Sequence, residues 1–161
     1  MIKVPPEDLL KKITQKPVVT FLQTYFVCER LARDLHKEYI FESNRKEIAK
    51  HFAAFKGAVL DDKIINKIAS KVNMEKIRNY EAHKTSVDVI LLRKCLESNP
   101  HITSKDIDKI FLSTMSAVNR RSSRYLRNKI THTIDKSCVE EVIRRYDELM
   151  QTMNKFINLF N

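Results

Sequence analysis

The amino-acid sequence predicts an all-α protein, and three observations support this fold class. The chain of 161 residues contains one glycine, four prolines and no tryptophan. Folds made of strands and tight turns rely on glycine, so this composition disfavours them. Apolar residues make up 43% of the chain, enough for one substantial core. They recur at alternating steps of about three and four residues, which places them on one face of a helix.

A first helix is predicted over residues 17–41 and a second over residues 44–55. The first has one apolar face, formed by Val18, Phe21, Tyr25, Cys28, Ala32, Leu35 and Tyr39. Asn44 is the candidate N-cap of the second helix, because Glu47 follows it at capping-box spacing. Gly57 lies where a C-cap glycine would end that helix.

Two further helices are predicted in the middle of the chain. Residues 61–72 repeat the helical spacing of apolar residues. Residues 75–97 have a nearly continuous apolar centre at 87–92, which predicts a long central helix. Pro100 ends this helix, because proline disfavours a helical conformation in the residue before it.

The last third of the chain predicts helices after Lys105 and after Ser137. Thr103 or Ser104 can cap the former, whose pattern fits either one long helix or two joined near Arg120. Ser137 begins a capping box, and a three-four alternation of apolar residues then continues to Phe160. This last stripe fits the core of a bundle or a seam between two copies. We predict a single domain over residues 1–161, an up-and-down helical bundle with additional short helices.

The residue inventory excludes several classes of function. A single glycine leaves no glycine-rich dinucleotide or P-loop motif. The cysteines, Cys28, Cys95 and Cys138, are odd in number and widely spaced, which predicts reduced thiols in a cytoplasmic protein. No metal or cofactor is expected, since the sequence lacks a C-x-x-C pair and closely spaced histidines. No membrane partner is expected either, because no uncharged stretch could span a bilayer.

The positive charge of the chain predicts an anionic partner. The formal net charge is +10, and the stretch 109–134 contains six Lys and Arg residues and no Asp or Glu. At about 100° per residue, Arg120, Arg124, Arg127 and Thr131 fall in one narrow sector, predicted to face solvent. Arginine forks match phosphate oxygens, so this row favours phosphate binding over a merely solvated helix face.

Residues 127–132, with the sequence RNKITH, resemble the motif of HEPN domains. In that motif Arg and His are separated by about four to six residues, and Asn often follows Arg. The resemblance covers about residues 123–135. It implies a small helical bundle that forms a homodimer with two motifs facing one cleft. It also implies a metal-independent endoribonuclease that leaves a 2′,3′-cyclic phosphate, often a toxin or antiviral-defence effector with an antitoxin or regulatory partner. HEPN toxins silenced by nucleotide transfer carry a tyrosine where this chain has Ile134, so that silencing is not expected here.

The motif assigns chemical roles, with RNA as the partner. His132 would act as the base or acid, since imidazole titrates near neutral pH, and Arg127 would stabilise the phosphorane. Asn128 lies four residues before His132 and could orient the imidazole. Three further cations would hold flanking phosphates: Arg120, Arg124 and Lys129. Arg127 and His132 are about 140° apart on an ideal helix, so a helix break or a second subunit is required.

A second segment satisfies the same pattern, with Arg78, Asn79 and His83. It contains Glu81, whose charge would repel the phosphate that the arginine must hold. We therefore favour the motif at 127–132 as the working one.

Some residues receive a structural interpretation, and two other functions stay open. His36, His51 and His101 are predicted to be surface or helix-end residues, and Glu29 and Asp34 to be solvent-exposed. One alternative function is a catalytically inert HEPN-like module that binds RNA or nucleotide or mediates assembly. The other is a helix-turn-helix DNA-binding protein, which the acidic residues after Gly57 disfavour.

Overall fold

The structure is a computed structural model that describes residues 6–53, 62–82, 87–113 and 120–161. Within these ranges the chain forms eight α-helices, one terminal 3-10 turn and no strand, which confirms the predicted all-α bundle. The helices are α1 (Glu7–Ile13), α2 (Lys16–Ala53), α3 (Asp62–Ala82), α4 (Val89–Cys95), α5 (Ser104–Phe111), α6 (Ser123–Thr133), α7 (Lys136–Arg144) and α8 (Tyr146–Ile157), and the turn covers Asn158–Phe160. None of the helices in these ranges is long and apolar enough to cross a membrane.

Helix α2 is the scaffold on which the other helices pack. It packs against α1, α3, α4, α6, α7 and α8. Its predicted apolar face is confirmed from Val18 through Ala32, since all five residues of this part of the face are buried. At the centre, the Phe111 ring lies 6.1 Å from the Tyr25 ring and 5.1 Å from the Phe156 ring. Apolar burial at this aromatic cluster joins α2, α5 and α8.

The three cysteines are free thiols, as predicted. Cys28 and Cys138 are buried, and the Cys28 thiol donates a weak hydrogen bond to the Met153 carbonyl at 3.7 Å. Burial raises the pKa of Cys28 to about 12. This thiol therefore serves as a small apolar core residue.

The predicted break before Asn44 is wrong, because α2 continues through it to Ala53. Asn44 is buried within the helix and donates a side-chain hydrogen bond to Asn73 of α3, while Arg45 donates to Asn66 at 2.9 Å. These side chains hold α3 against α2 instead of capping a new helix. Gly57, the predicted C-cap, lies outside the described residues.

The predicted long helix over 75–97 is also wrong. Helix α3 runs from Asp62 to Ala82, and α4 begins only at Val89. Asp88 has an extended backbone (φ −85°, ψ 107°) and accepts the Leu91 N–H at 3.1 Å as the N-cap of α4. The one polar residue in the apolar run therefore starts a short helix.

After Pro100 the chain forms two separate helices, α5 and α6, and not one long helix. Thr103 and Asp106 form the capping box of α5, which confirms the cap predicted there. Helix α5 ends at Phe111, and Ser122 caps α6 by accepting the Tyr125 N–H at 3.1 Å. The capping box predicted at Ser137 is wrong, because Asp135 is the N-cap of α7.

The last predicted helix is interrupted at Arg145, where the backbone (φ −99°, ψ 15°) separates α7 from α8. The Arg145 side chain donates to the Arg121 carbonyl at 3.0 Å and to Glu141 at 2.7 Å, and so stabilises the break. Val139 and Met153 of the predicted stripe are fully buried, as expected, but Val142 and Phe156 are fully buried in place of Ile143 and Ile157.

His36 was predicted at the surface, and the structure corrects this. The side chain is fully buried on α2, and its Nε2 accepts the backbone N–H of Asp88 at 3.2 Å. Burial lowers the pKa of His36, although the Asp88 carboxylate acts in the opposite direction. The neutral imidazole therefore ties the start of α4 to α2.

We expect the stability of the fold to fall at acidic pH because His36 must become protonated. Its pKa is lower in the folded state than in the unfolded chain, so its contribution is complete above pH of about 6.5 and is lost as the pH falls toward the lowered value. For one proton, the free energy of unfolding changes by at most about 1.4 kcal/mol per pH unit. Urea unfolding between neutral and acidic pH measures it. His36→Asn should make the free energy of unfolding less dependent on pH, and the exposed His101→Asn should not. Equal pH dependence in the unchanged protein and both variants would contradict this role of His36.

Candidate functional site

Helix α6 carries the HEPN-like segment. Leu126 and Ile130 are buried against the core and fix the orientation of the helix. The helix ends at Thr133, and its C-cap Ile134 has a left-handed backbone (φ 47°, ψ 53°) that is strained for a β-branched residue. His132 therefore lies in the last turn of α6, just before the tight connection to α7.

The Arg127 side chain is directed toward α2. Its guanidinium lies 4.7 Å from the centroid of the Tyr25 ring, and its Nη2 donates to Glu29 Oε2 at 3.3 Å. The side chain of Arg127 is 26% exposed and that of Glu29 is 16% exposed. The prediction that Glu29 faces solvent is therefore wrong, while Asp34 is exposed as predicted.

Arg124 is also directed inward. Its Nη1 donates to the Val87 carbonyl at 3.0 Å and to the Phe111 carbonyl at 3.1 Å, which ties α6 to the residue before Asp88 and to the end of α5. The predicted solvent-facing arginine row is thus wrong for Arg124 and Arg127. The prediction placed them opposite one apolar stripe, but α2 and α5 also cover this side of α6.

We expect Arg124→Ala to lower the free energy of unfolding by about 2–3 kcal/mol, because two carbonyl groups lose a charged hydrogen-bond donor. Chemical denaturation measures this change. Lys129→Ala, which removes an exposed cation from the same helix, should leave stability within about 0.5 kcal/mol. Equal stability of the two variants would show that Arg124 does not hold the fold together.

His132 is exposed, and Asn128 is half-buried on the same helix. Among the described residues, no hydrogen bond joins these two side chains, so the orienting contact predicted for Asn128 is absent in the single chain. His132 reaches solvent at the end of α6, whereas Arg127 contacts α2. In the described part of one chain, no hydrogen bond or ion pair links Arg127 to His132.

The other predicted phosphate contacts lie at the surface. Arg120 precedes α6 and pairs with Glu148 at 2.7 Å while staying exposed. Lys129 is exposed, and its Nζ lies 5.7 Å from the centroid of the Tyr125 ring on the same helix. The Arg121 guanidinium lies at the same distance from this ring. Two cations therefore lie near the Tyr125 ring, a combination that suits an unpaired base beside its phosphates.

The second motif lies partly outside the described residues. Arg78 and Asn79 belong to α3, but their side chains are outside the described set, and His83 lies outside the described residues altogether. Where the chain is described, no group of three or more His, Cys, Asp or Glu side chains is placed to hold a metal ion.

Sequence reasoning missed the contribution of α2 to this region. The spacing of Glu29 and Arg33 predicts an ion pair within α2, and the structure places them 3.6 Å apart. No sequence signal links Glu29 to Arg127, which lies 98 positions later. Comparison of the chain with protein-family models, with curated proteins and with solved structures finds no match.

Proposed function

We propose that this chain is a metal-independent endoribonuclease of the HEPN type. The observation that carries the proposal is the composition and exposure of α6. This helix contains Arg127, Asn128 and His132, has no acidic residue, and presents Lys129 and His132 to solvent. A cation and an imidazole on one acid-free helix are the groups that cleavage of RNA at phosphate requires.

The proposed reaction uses the 2′-OH of RNA as the nucleophile. A base takes the proton of this hydroxyl, its oxygen attacks the adjacent phosphorus, and the bond to the 5′-oxygen breaks as that oxygen gains a proton. The products are a 2′,3′-cyclic phosphate and a 5′-hydroxyl. His132 serves as the base or the acid, and Arg127 stabilises the charge of the phosphorane.

A homodimer accommodates the separation of Arg127 and His132. With two copies of α6 facing one cleft, the exposed His132 of one subunit can meet a phosphate held near Arg127 of the other. The exposed Arg120 and Lys129 are the proposed contacts to flanking phosphates, whereas Arg124, bound to the Val87 and Phe111 carbonyls, is not. The resemblance further supports a cytoplasmic toxin or antiviral-defence effector controlled by an antitoxin or regulatory partner.

The test is to compare RNA, 2′-O-methyl RNA and DNA of one single-stranded sequence. We expect cleavage of RNA alone, because only RNA has a free 2′-OH, whereas 2′-O-methyl RNA should still bind. Cleavage of the 2′-O-methyl strand or of DNA would contradict the proposed nucleophile. A matched His101→Ala preparation should cleave RNA like the unchanged protein, since His101 is an exposed histidine outside α6.

One observation favours a second candidate, a catalytically inert HEPN-like module that binds RNA or nucleotide. In the single chain Arg127 is already paired with Glu29 and stacked on Tyr25, as expected of a structural residue. This candidate predicts that RNA binds and stays intact. Both candidates expect His132→Ala to keep its RNA affinity, so cleavage and not binding separates them.

A further inference from the structure

Two arginines on different helices share one carboxylate beside the proposed site. Arg33 of α2 approaches Glu29 Oε1 at 3.6 Å, and Arg127 of α6 approaches Glu29 Oε2 at 3.3 Å. The two oxygens of Glu29 thus contact different guanidinium groups. The Arg33 side chain is 43% exposed, so solvent reaches this cluster from the α2 side.

The cluster contains more positive than negative charge. Within the described ranges, Glu29 is the only acidic side chain that forms an ion pair with Arg33 or Arg127. Tyr25, beneath Arg127, adds no negative charge, since burial raises its pKa to about 12 although Arg127 acts to lower it. One carboxylate therefore balances two guanidinium groups that are partly withdrawn from water.

Each guanidinium also retains a donor for which the described residues offer no acceptor. The Nε atoms of Arg33 and Arg127 are both buried, and neither has a hydrogen-bond partner in the described part of the chain. A guanidinium presents its donors as a planar fork that matches the oxygens of a phosphate. An anion with several acceptor oxygens can satisfy donors that one carboxylate cannot.

We propose that Tyr25, Glu29, Arg33 and Arg127 form a phosphate-binding cluster, in which the Glu29 carboxylate occupies both arginines until a phosphate group displaces it. The Glu29 contact is thus autoinhibitory, and Arg33 is a phosphate ligand in addition to Arg127. The inference rests on the proposed function only in taking an RNA phosphodiester as the source of the phosphate. Binding itself requires no cleavage.

The first test measures the affinity for inorganic phosphate by calorimetry at low ionic strength. Glu29→Gln keeps the shape of the side chain and removes its charge, so it should bind phosphate about tenfold tighter than the unchanged protein. The matched control is Asp34→Asn, which removes an exposed carboxylate that pairs with Arg30 on the same helix, and it should leave the affinity unchanged. Unchanged or weaker binding by Glu29→Gln, or an equal gain in both variants, would overturn the proposal.

A second pair of variants keeps the proposal testable if Glu29→Gln does not fold. Arg33→Gln should weaken phosphate binding about tenfold, whereas Arg30→Gln, an equal loss of charge from α2, should not. Equal affinities for these two variants would overturn the assignment of Arg33.

Repeating the four variants with a 2′-O-methyl RNA strand, read by fluorescence anisotropy, identifies the source of the phosphate. The same order of affinities supports an RNA phosphodiester, while an effect confined to inorganic phosphate overturns that source and retains the cluster as a site for free phosphate. Because neither readout requires cleavage, failure of the cluster is distinguishable from failure of the ribonuclease proposal.

Discussion

His132→Ala should reduce RNA cleavage by about 10²–10⁴-fold, the range expected when a general base or acid is removed. The side chain is exposed at the end of α6, so the variant should keep the fold and the RNA affinity of the unchanged protein. Arg127→Ala should reduce cleavage by about 10²–10³-fold through loss of charge stabilisation. Single-turnover cleavage of a labelled single-stranded RNA gives both rates.

Two matched controls separate these effects from a general loss of positive charge. His101→Ala removes an exposed histidine between α4 and α5, and Arg144→Ala removes an exposed arginine at the end of α7. Both should cleave RNA at the unchanged rate. If His132→Ala cleaves as fast as His101→Ala, the histidine of the motif takes no part in the chemistry.

The largest expected effect on stability is that of Phe111→Ala. Phe111 is fully buried between Tyr25 and Phe156, and its removal leaves a cavity where α2, α5 and α8 meet. Loss of a buried phenylalanine costs about 3–5 kcal/mol. For a chain of this size, each kcal/mol lowers the melting temperature by about 2–4 °C.

The control for this change is Phe26→Ala, which removes a phenylalanine that is 68% exposed on α2. Its free energy of unfolding should change by no more than about 0.5 kcal/mol. Thermal unfolding followed by circular dichroism compares the two variants. Similar melting temperatures would mean that the aromatic cluster is not the centre of the core.

The sequence predicted the parts of the fold that depend on local spacing. The apolar face of α2 from Val18 to Ala32 and the capping box at Thr103 both follow from residues close together in the chain. The helix ends near Asp88 and Arg145 were missed. Their pattern of apolar residues continues through these positions, and the side chain that stabilises the break at Arg145 bonds to residues elsewhere in the fold.

At Asn44 the local sequence predicted a helix start that the structure does not have, because α2 continues through this residue. Its spacing to Glu47 matched a helix N-terminus, but its amide bonds Asn73 of α3, 29 positions away in sequence. A capping signal is a local preference, and burial of a polar pair between two long helices outweighs it.

For the candidate site, the sequence identified the helix but not the directions of its arginines. Arg124 and Arg127 find their partners at Val87, Phe111 and Glu29, and the last of these lies on a helix in the first third of the chain. The sequence shows that the stretch 109–134 is rich in positively charged residues. Only packing decides which of them reach solvent.

The most direct test of the ribonuclease proposal is to identify the 3′ ends that the protein leaves on end-labelled single-stranded RNA in EDTA. Arg127→Ala and His132→Ala are assayed beside it. We expect 2′,3′-cyclic phosphate ends from the unchanged protein, and strongly reduced amounts from each variant. Ends with a 3′-hydroxyl, or equal cleavage by all three proteins, would contradict a metal-independent ribonuclease built on α6.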